Sequence, residues 1–405
     1  MKKAFYNIKH HQIYCLVLLS LVSCEIVDND PEKHVSQDRD STLLALEEVA
    51  QILSAVPLRT AHVQEVHDAV SSSSGNGYDE EYTMKNLFES PGAGVGDEGK
   101  TRSGGQYSLP LRDLIAEHVH ANMTRSGMDP EDFLAALEKS DLQIYWPFSE
   151  HWNGKDMPIV TFDPEDESEV NMAYEICIND DGSRHVKEVL VDEEMAKERP
   201  VWVVNRNSDA GYTSLEMLRR KDPAWGEGGG SIIVSPSVRT STKTGEPLKM
   251  LLLKDLTMKR QFDPWFAGGA EIFCKIASLD DFTASTEAEL QLYNPQVTDF
   301  MIVVKRSQIG IPQASNVVLI SEMKDEQEEY AFMVTEDDGG TRTEWSCKAK
   351  VFVAGKSYGV EVSFPFNTRD DIVWRGKLSR KSLDKFNNVP SPFGDIELTF
   401  EQIEY

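Results

Sequence analysis

The sequence predicts an α+β protein with a short helical N-terminal region, a mixed β-rich middle and an antiparallel β-sandwich as its C-terminal domain. Three observations support this class. In the first third of the chain, apolar residues recur every three or four positions, which is the period of an amphipathic helix. From Asp141 onward, short apolar runs are separated by turn residues. After about Phe262, apolar and polar residues alternate one by one, as in strands with one buried face.

The helical region is predicted to span residues 41–140. Ser71–Gly77 is expected to end the first helical stretch, and a glycine-rich loop is expected at 90–106. Asp129 is a suitable N-cap for the last helix, because its side chain can accept a hydrogen bond from the first turn. The predicted helical segments are Ser41–Val70, Pro110–Met123 and Pro130–Lys139.

Residues 141–260 are predicted to form the mixed β-rich region, and residues 261–405 the sandwich domain. The Asp-Gly pair at 181–182 separates two apolar runs and is typical of a hairpin turn. In the sandwich, apolar and polar residues alternate over 345–364 on both sides of a turn predicted at Ala354–Ser357. The strands predicted in the middle region are Gln143–Trp146, Pro158–Phe162, Glu175–Ile178, His185–Val191, Pro200–Asn205, Ser231–Ser235 and Met250–Lys254.

The start of the chain predicts an export signal. The first twelve residues carry three lysines and no acidic residue, and Ile13–Val22 is almost entirely apolar. As a helix this run is about 15 Å long, too short to cross a hydrocarbon core of about 30 Å. A basic start, a short apolar segment and small residues before a cut are typical of a secretory signal peptide, here residues 1–23.

The signal ends in Leu21-Val22-Ser23-Cys24, which resembles the lipobox of bacterial lipoproteins. In that family the chain is cut before the cysteine, whose thiol is diacylated and whose new amino group is usually acylated. The resemblance therefore implies lipid attachment at Cys24. The alternative is an ordinary signal peptide that ends in a cysteine by chance.

Residues 24–40 are polar and acidic, and we expect them to form a tether between the lipid and the folded body. Acidic residues close behind the cysteine resemble the signal that sends Bacteroidetes lipoproteins to the cell surface. The chain as a whole resembles the envelope lipoproteins of Bacteroidetes, which implies an outer-membrane location on the periplasmic face or the cell surface. Fimbrillin-type lipoproteins share the signal and the sandwich, but a helical N-terminal region does not suit them.

Net charge restricts the class of partner. The formal charge is −27, and removal of the signal peptide with its three lysines brings it to −30. Such a charge repels nucleic acid and anionic lipid surfaces. We therefore expect no nucleic-acid partner, and attachment to the membrane through the lipid alone.

Three cysteines remain behind the lipidated one: Cys177, Cys274 and Cys347. An odd number allows one disulfide at most, and the wide spacing forms no local metal motif. Each cysteine lies in a strand-like run, so we expect all three to act as small apolar core residues.

Gly94–Thr101 matches the phosphate-binding P-loop pattern letter for letter. That pattern requires a buried strand before it and a helix directly after it, and neither is predicted here. Asp97 and Glu98 also introduce carboxylates where a phosphate would lie. The sequence therefore predicts a flexible loop, with no nucleotide partner and no cofactor.

Histidines and acidic turns are the candidate metal ligands. His62 and His67 are five positions apart, whereas the helical zinc motif requires four. His118 and His120 diverge on a helix because they are two apart, so exposed helix histidines are the favoured interpretation of both pairs. We therefore assign no zinc ligands from the histidines.

Two acidic turns, Asp163–Glu167 and Thr335–Gly340, concentrate the oxygen ligands that calcium prefers. Neither matches the EF-hand pattern, so the favoured interpretation is a solvated turn and a structural calcium site is the alternative. The sequence thus assigns no metal ligand.

No motif for nucleophilic catalysis is found, so no catalytic residue is assigned, and Cys24 is the one site residue. The aromatic groups at Tyr145–Phe148 and Trp265–Phe266 are predicted to be core rather than a sugar-stacking surface. The leading hypothesis is a non-catalytic, lipid-anchored envelope protein that binds a protein or a glycan. The alternatives are a secreted hydrolase of glycans or peptides with a carboxylate site in the middle region, and a fimbria-like structural subunit.

Overall fold

A computed structural model of the chain describes residues 44–89, 110–122, 129–179, 181–207, 211–221, 249–278, 286, 289 and 295–404. The predicted α+β class is confirmed, since helices precede a β-rich body whose strands pair mainly antiparallel. Cys24, the tether, the P-loop-like segment Gly94–Thr101 and the strand predicted at Ser231–Ser235 lie outside the described residues.

Five helices of the described part form the N-terminal layer. Asp129 is confirmed as an N-cap, because its side chain accepts a hydrogen bond from the backbone N–H of Glu131 at 2.9 Å. The helices are α1 (Leu46–Ala55), α2 (Thr60–Gly75), α3 (Met84–Phe88), α4 (Leu111–Asn122) and α5 (Pro130–Lys139).

Helix α2 extends further than the sequence predicts. The serine run was expected to break the helix, but residues 71–75 continue it. Ser73 is 1% exposed, and its hydroxyl hydrogen bonds to the carboxylate of Glu81. Tertiary contacts thus override the modest helix propensity of serine. The chain leaves the helix through Gly77, whose φ of +79° is readily adopted by glycine.

The helices pack on a six-stranded sheet with the order β1-β2-β6-β3-β4-β5, in which only the β3–β6 pair is parallel. Val66, Ile115 and Phe133 from the helices share one core with Trp146 and Trp202 from the sheet side. The strands are β1 (Glu81–Thr83), β2 (Leu142–Tyr145), β3 (Ile159–Phe162), β4 (Val170–Ile178), β5 (Arg184–Asp192) and β6 (Val201–Arg206), and α6 (Glu193–Glu198) joins β5 to β6.

The rest of the β-rich body is sandwich-like. Two four-stranded antiparallel sheets, β10-β7-β16-β15 and β14-β11-β8-β9, enclose a core that includes Leu253, Ile272, Phe332 and Phe400. Its strands are β7 (Lys249–Met258), β8 (Ala270–Ser278), β9 (Gln296–Val304), β10 (Gln313–Ile320), β11 (Glu329–Glu336), β12 (Arg342–Val353), β13 (Lys356–Asn367), β14 (Asp371–Ser379), β15 (Ser391–Phe393) and β16 (Ile396–Glu404), with helices α7 (Leu215–Lys221) and α8 (Arg380–Phe386).

The β12–β13 hairpin covers the outer face of the β14-β11-β8-β9 sheet. Val362 and Phe364 of the hairpin pack against Ala331 and Met333 of β11. The predicted alternation is confirmed, because Ala349, Val351 and Val353 are buried while the residues between them are exposed. The turn is shorter than predicted, since Lys356 already pairs with Val353 and the turn is the two residues 354 and 355.

The predicted aromatic core is confirmed: Tyr145, Trp146, Trp265 and Phe266 are each at most 1% exposed. Cys274 is buried, whereas Cys177 and Cys347 are only half-buried, and all three are free thiols. Within the part of the chain that the structure describes, no helix is both long enough and apolar enough to cross a bilayer.

Candidate functional site

An open cleft of about 610 Å³ lies where the first sheet approaches the sandwich. We call it the junction cleft. The loop before β4 and helix α6 contribute to its lining, as do the segments that follow β7 and β9. Its lining residues are Glu167, Glu169, Glu193, Lys197, Arg260, Gln261, Phe262, Asp263, Pro264, Arg306 and Ile309.

Arg306 fixes the position of several groups around the junction cleft. Its side chain is 5% exposed, and its Nε donates to the carbonyl oxygen of Gly268 at 3.0 Å. Nη2 donates to the carbonyl oxygen of Asp263 at 2.6 Å, and Nη1 lies 3.3 Å from Oε1 of Glu193. A buried guanidinium requires such partners, because its desolvation is otherwise costly. Arg306 therefore connects α6 to the segment that follows β7.

A second arginine lies at the exposed side of the cleft. The guanidinium of Arg260 lies 4.6 Å from the ring centroid of Phe262, and its Nε lies 2.8 Å from Oδ2 of Asp395. Ring stacking and an ion pair both restrict the side chain. The cleft thus presents positive and negative groups whose positions are set before a ligand arrives.

The amide of Gln261 is a further feature of the cleft wall. Both its nitrogen and its oxygen are buried, and neither has a hydrogen-bond partner among the described residues. Among the described residues that line the cleft, there is no serine, threonine, cysteine, histidine or tyrosine. The described lining therefore provides charged groups for a polar ligand, but no hydroxyl or thiol nucleophile.

Three carboxyl groups converge beside the cleft, and we call this cluster the acidic corner. It consists of Asp263, Glu336 and Asp338, and one carboxylate oxygen from each lies within 4.8 Å of those of the others. Glu336 is the last residue of β11, and Asp338 follows in the turn. Asp263 comes from the segment after β7 and also lines the junction cleft.

Burial and like charge act together in the acidic corner. Glu336 is 0% exposed, and neither of its oxygens receives a hydrogen bond from a described N–H group. Burial, then the charge of Asp263 and a hydrogen bond shared with it, raise the pKa of Glu336 to about 12. Burial and the same neighbour raise the pKa of Asp338 to about 8.

The acidic turn at Thr335–Gly340 is therefore not the solvated turn that the sequence favours. Thr335, Glu336 and Asp337 are buried, because the end of β11 pairs with both β8 and β14. The other acidic turn agrees with the prediction only in part, since residues 165–167 are exposed while Asp163 is half-buried and burial raises its pKa.

Glu80 and Glu150 form a further carboxyl pair, which was not predicted from the sequence. Glu80 is 1% exposed, and its Oε1 accepts hydrogen bonds from the backbone N–H and the hydroxyl of Ser149 at 3.2 and 2.7 Å. Burial, followed by the charge of Asp79, raises the pKa of Glu80 to about 8. The pKa of Glu150 is lowered although burial acts in the opposite direction, because hydrogen bonds, one of them to Glu80, favour its ionised form. Three consecutive acidic residues at 79–81 were the available signal in the sequence.

The two histidine pairs that the sequence analysis considered lie on different helices, α2 and α4. His62 is 2% exposed rather than exposed as predicted, and its Nδ1 accepts a hydrogen bond from the backbone N–H of Arg59, which caps α2. The ring of His67 packs against Trp146 and Trp152. His118 and His120 both lie on α4, and His120 Nε2 is 3.5 Å from a carboxylate oxygen of Glu131.

Comparisons with known proteins identify no relative: no protein-family model matches the chain, and neither a curated protein nor a solved structure gives a match. The chemistry of the described residues is therefore the basis for a functional proposal.

Proposed function

We propose that this chain is a lipid-anchored, non-catalytic binding protein of the cell envelope. Cys24 would carry the lipid at the outer membrane, and the junction cleft would take a protein or glycan ligand. The junction cleft is the observation that carries the proposal. Its volume of about 610 Å³ is typical of ligand sites, which span about 300–1,000 Å³.

Burial argues against Glu336 and Glu80 as general acids, and the half-buried Asp338, whose pKa is also raised, is the carboxyl group on which the hydrolase alternative would depend. A general acid must reach the bond that it protonates. Glu336 and Glu80 have raised pKa values, as a general acid would, but their side chains are 0% and 1% exposed. A glycan or peptide in the junction cleft would contact Glu193 and Arg260 at the surface rather than these buried groups.

The last strand bears on the alternative of a fimbria-like subunit. Such a subunit would have a detachable terminal strand and an open groove. Strand β16 instead lies inside its sheet, between β7 and β15, and pairs with β7 along its length from Ile396 to Glu404. This arrangement supports a self-contained sandwich.

A glycan array combined with an activity screen tests the proposal. We expect the purified full-length chain to bind a subset of printed glycans or envelope proteins, and to hydrolyse neither polysaccharides nor casein. Arg260→Glu should weaken binding by about tenfold or more, because it reverses a charge that the cleft holds in place. The matched control is Lys259→Glu. Lys259 pairs with Glu397, 2.6 Å away, and does not line the cleft.

Two outcomes contradict the proposal. Turnover of a polymer without binding on the array would favour the hydrolase instead. Equal binding by the Arg260→Glu and Lys259→Glu variants would exclude the junction cleft as the ligand site.

A further inference from the structure

The acidic corner brings three carboxyl groups together, and one of them, Glu336, is fully buried. Ionised carboxyl groups are rarely buried unless they are paired with a cation or accept several hydrogen bonds. The main charges that act on Glu336 are those of Asp263, Glu271 and Asp338, and all of them are acidic. Asp338 is likewise influenced mainly by acidic residues: Asp263, Asp371 and Asp370.

Glu336 is the second and independent observation. It is fully buried, and no described N–H group donates to either of its oxygens. A buried carboxyl that only needed to be neutral could be replaced by a smaller apolar residue at little cost, since polar burial without a partner is unfavourable. A buried glutamate that lies beside two more carboxyl groups occupies the position that a metal ligand would occupy.

The spacing suits one particular class of ion. Calcium binds oxygen ligands at about 2.3–2.6 Å, so two oxygens on the same ion lie at most about 5 Å apart. The three carboxylate oxygens of the corner lie within 4.8 Å of one another. All three donors are hard, anionic oxygens, which select calcium-class ions over metals that prefer nitrogen or sulfur.

We propose that Asp263, Glu336 and Asp338 bind one calcium-class divalent cation. Glu336 supplies the buried ligand, and the half-buried Asp263 and Asp338 supply ligands nearer the surface. Calcium takes six to eight oxygens, so bidentate carboxylates and water complete the shell on the exposed side. This site goes beyond ligand binding in the junction cleft, although Asp263 belongs to both.

The local fold can hold such an ion in place. Gly339 and Gly340 have φ values of +68° and +103°, so the turn reverses directly after Asp338. A Cβ atom on Gly340 would lie 2.8 Å from the hydroxyl of Thr368, so no side chain fits there. The bound ion would tie the end of β11 to the segment after β7 and thus to one wall of the junction cleft.

Cation binding should displace protons from the carboxyl groups of the acidic corner. Carboxylate ligands must lose their protons to bind a metal. Affinity is therefore expected to increase with pH and to fall in acid.

Calorimetric titration with calcium chloride tests the site. The full-length chain is first stripped with a chelator. We expect one calcium ion per chain, and a loss of affinity of about tenfold or more in both Glu336→Gln and Asp338→Asn, since each removes an anionic ligand. The matched controls are Glu326→Gln and Asp325→Asn, which change exposed carboxylates before the start of β11, at the opposite end of that strand from Glu336, and should bind calcium as the wild type does.

Absence of calcium binding by the stripped wild-type chain overturns the inference, as does binding that Asp338→Asn leaves unchanged. The second variant alters a half-buried turn residue, so the test remains decisive if Glu336→Gln does not fold. Ligand binding in the junction cleft is measured separately, by comparing the Arg260→Glu variant with the wild type on the glycan array. Failure of one proposal is thus distinguishable from failure of the other.

Discussion

Glu336 lies in an environment that its amino-acid type does not prefer. A glutamate is seldom fully buried, and the charges nearest to Glu336 are also negative. In the absence of a cation, the folded chain avoids this repulsion by keeping Glu336 protonated. The cost of that state depends on pH, because the unfolded chain ionises the same group near its ordinary pKa of 4.5.

The first prediction concerns the pH dependence of stability without a cation. Between its unfolded pKa of 4.5 and its folded pKa of about 12, Glu336 binds more protons in the folded state than in the unfolded state. The free energy of unfolding should therefore fall as pH rises through this window. Glu336→Gln should reduce the slope of the free energy of unfolding against pH between about pH 5 and pH 9, measured by urea unfolding in the presence of a chelator.

The raised pKa of Glu80 acts in the same direction and remains in the variant. An unchanged slope would contradict this account.

At this scale the sequence predicts part of the acidic corner. Thr335–Gly340 stands out as a concentration of carboxylates, and the sequence keeps calcium open as an alternative. Asp263 is not identifiable in this way, because it approaches Glu336 only after β7 and β11 have joined the two facing sheets of the sandwich. Glu336 is buried because β11 pairs with its neighbouring strands, and the sequence of the acidic turn alone does not indicate that pairing.

Among the elements, the β12–β13 hairpin follows most directly from its sequence. Alternation specifies which face is buried, and Gly355 marks the turn. Ala354 is less suited to the conformation of the turn, because its φ is 49°. The left-handed region costs a non-glycine residue about 1–2 kcal/mol, and asparagine tolerates it best.

The second prediction follows from that turn. Ala354→Asn should stabilise the chain by about 0.5–1 kcal/mol, because two-residue turns with positive φ at both positions favour the Asn-Gly sequence. Urea unfolding monitored by tryptophan fluorescence measures the change. Ala354→Val is the control, and it should destabilise because a β-branched residue is strained at positive φ. Equal stability of all three chains would show that backbone strain at residue 354 is unimportant.

The elements also show where local patterns are insufficient. Strands β3, β5 and β6 agree with the predicted segments, since apolar runs and turn residues set their limits, whereas β4 begins at Val170, five residues before the predicted segment Glu175–Ile178. Strand β1 (Glu81–Thr83) was not predicted, because it is only three residues long and exists through pairing with β2. The continuation of α2 through the serine run is likewise accompanied by a contact with a strand residue, Glu81 of β1.

For the molecule as a whole, we propose that a strongly acidic body is held at a membrane through the lipid on Cys24. The mature chain would carry a net charge of −30, so its surface is repelled by anionic membranes. No described helix is able to span a bilayer. The α+β class and the sandwich could be predicted from periodicity alone, but the cleft and the acidic corner arise where distant segments meet. Location and ligand binding therefore require separate tests.

Metabolic labelling with a radioactive fatty acid tests the anchor most directly. We predict that the wild-type chain incorporates label and fractionates with membranes. Cys24→Ala should lose the label and accumulate as uncut precursor. Cys15→Ala is the matched control and should retain the label, because residue 15 is removed with the signal peptide. Persistent labelling of Cys24→Ala, or an unlabelled wild-type chain, would contradict the account of a lipid-anchored envelope protein.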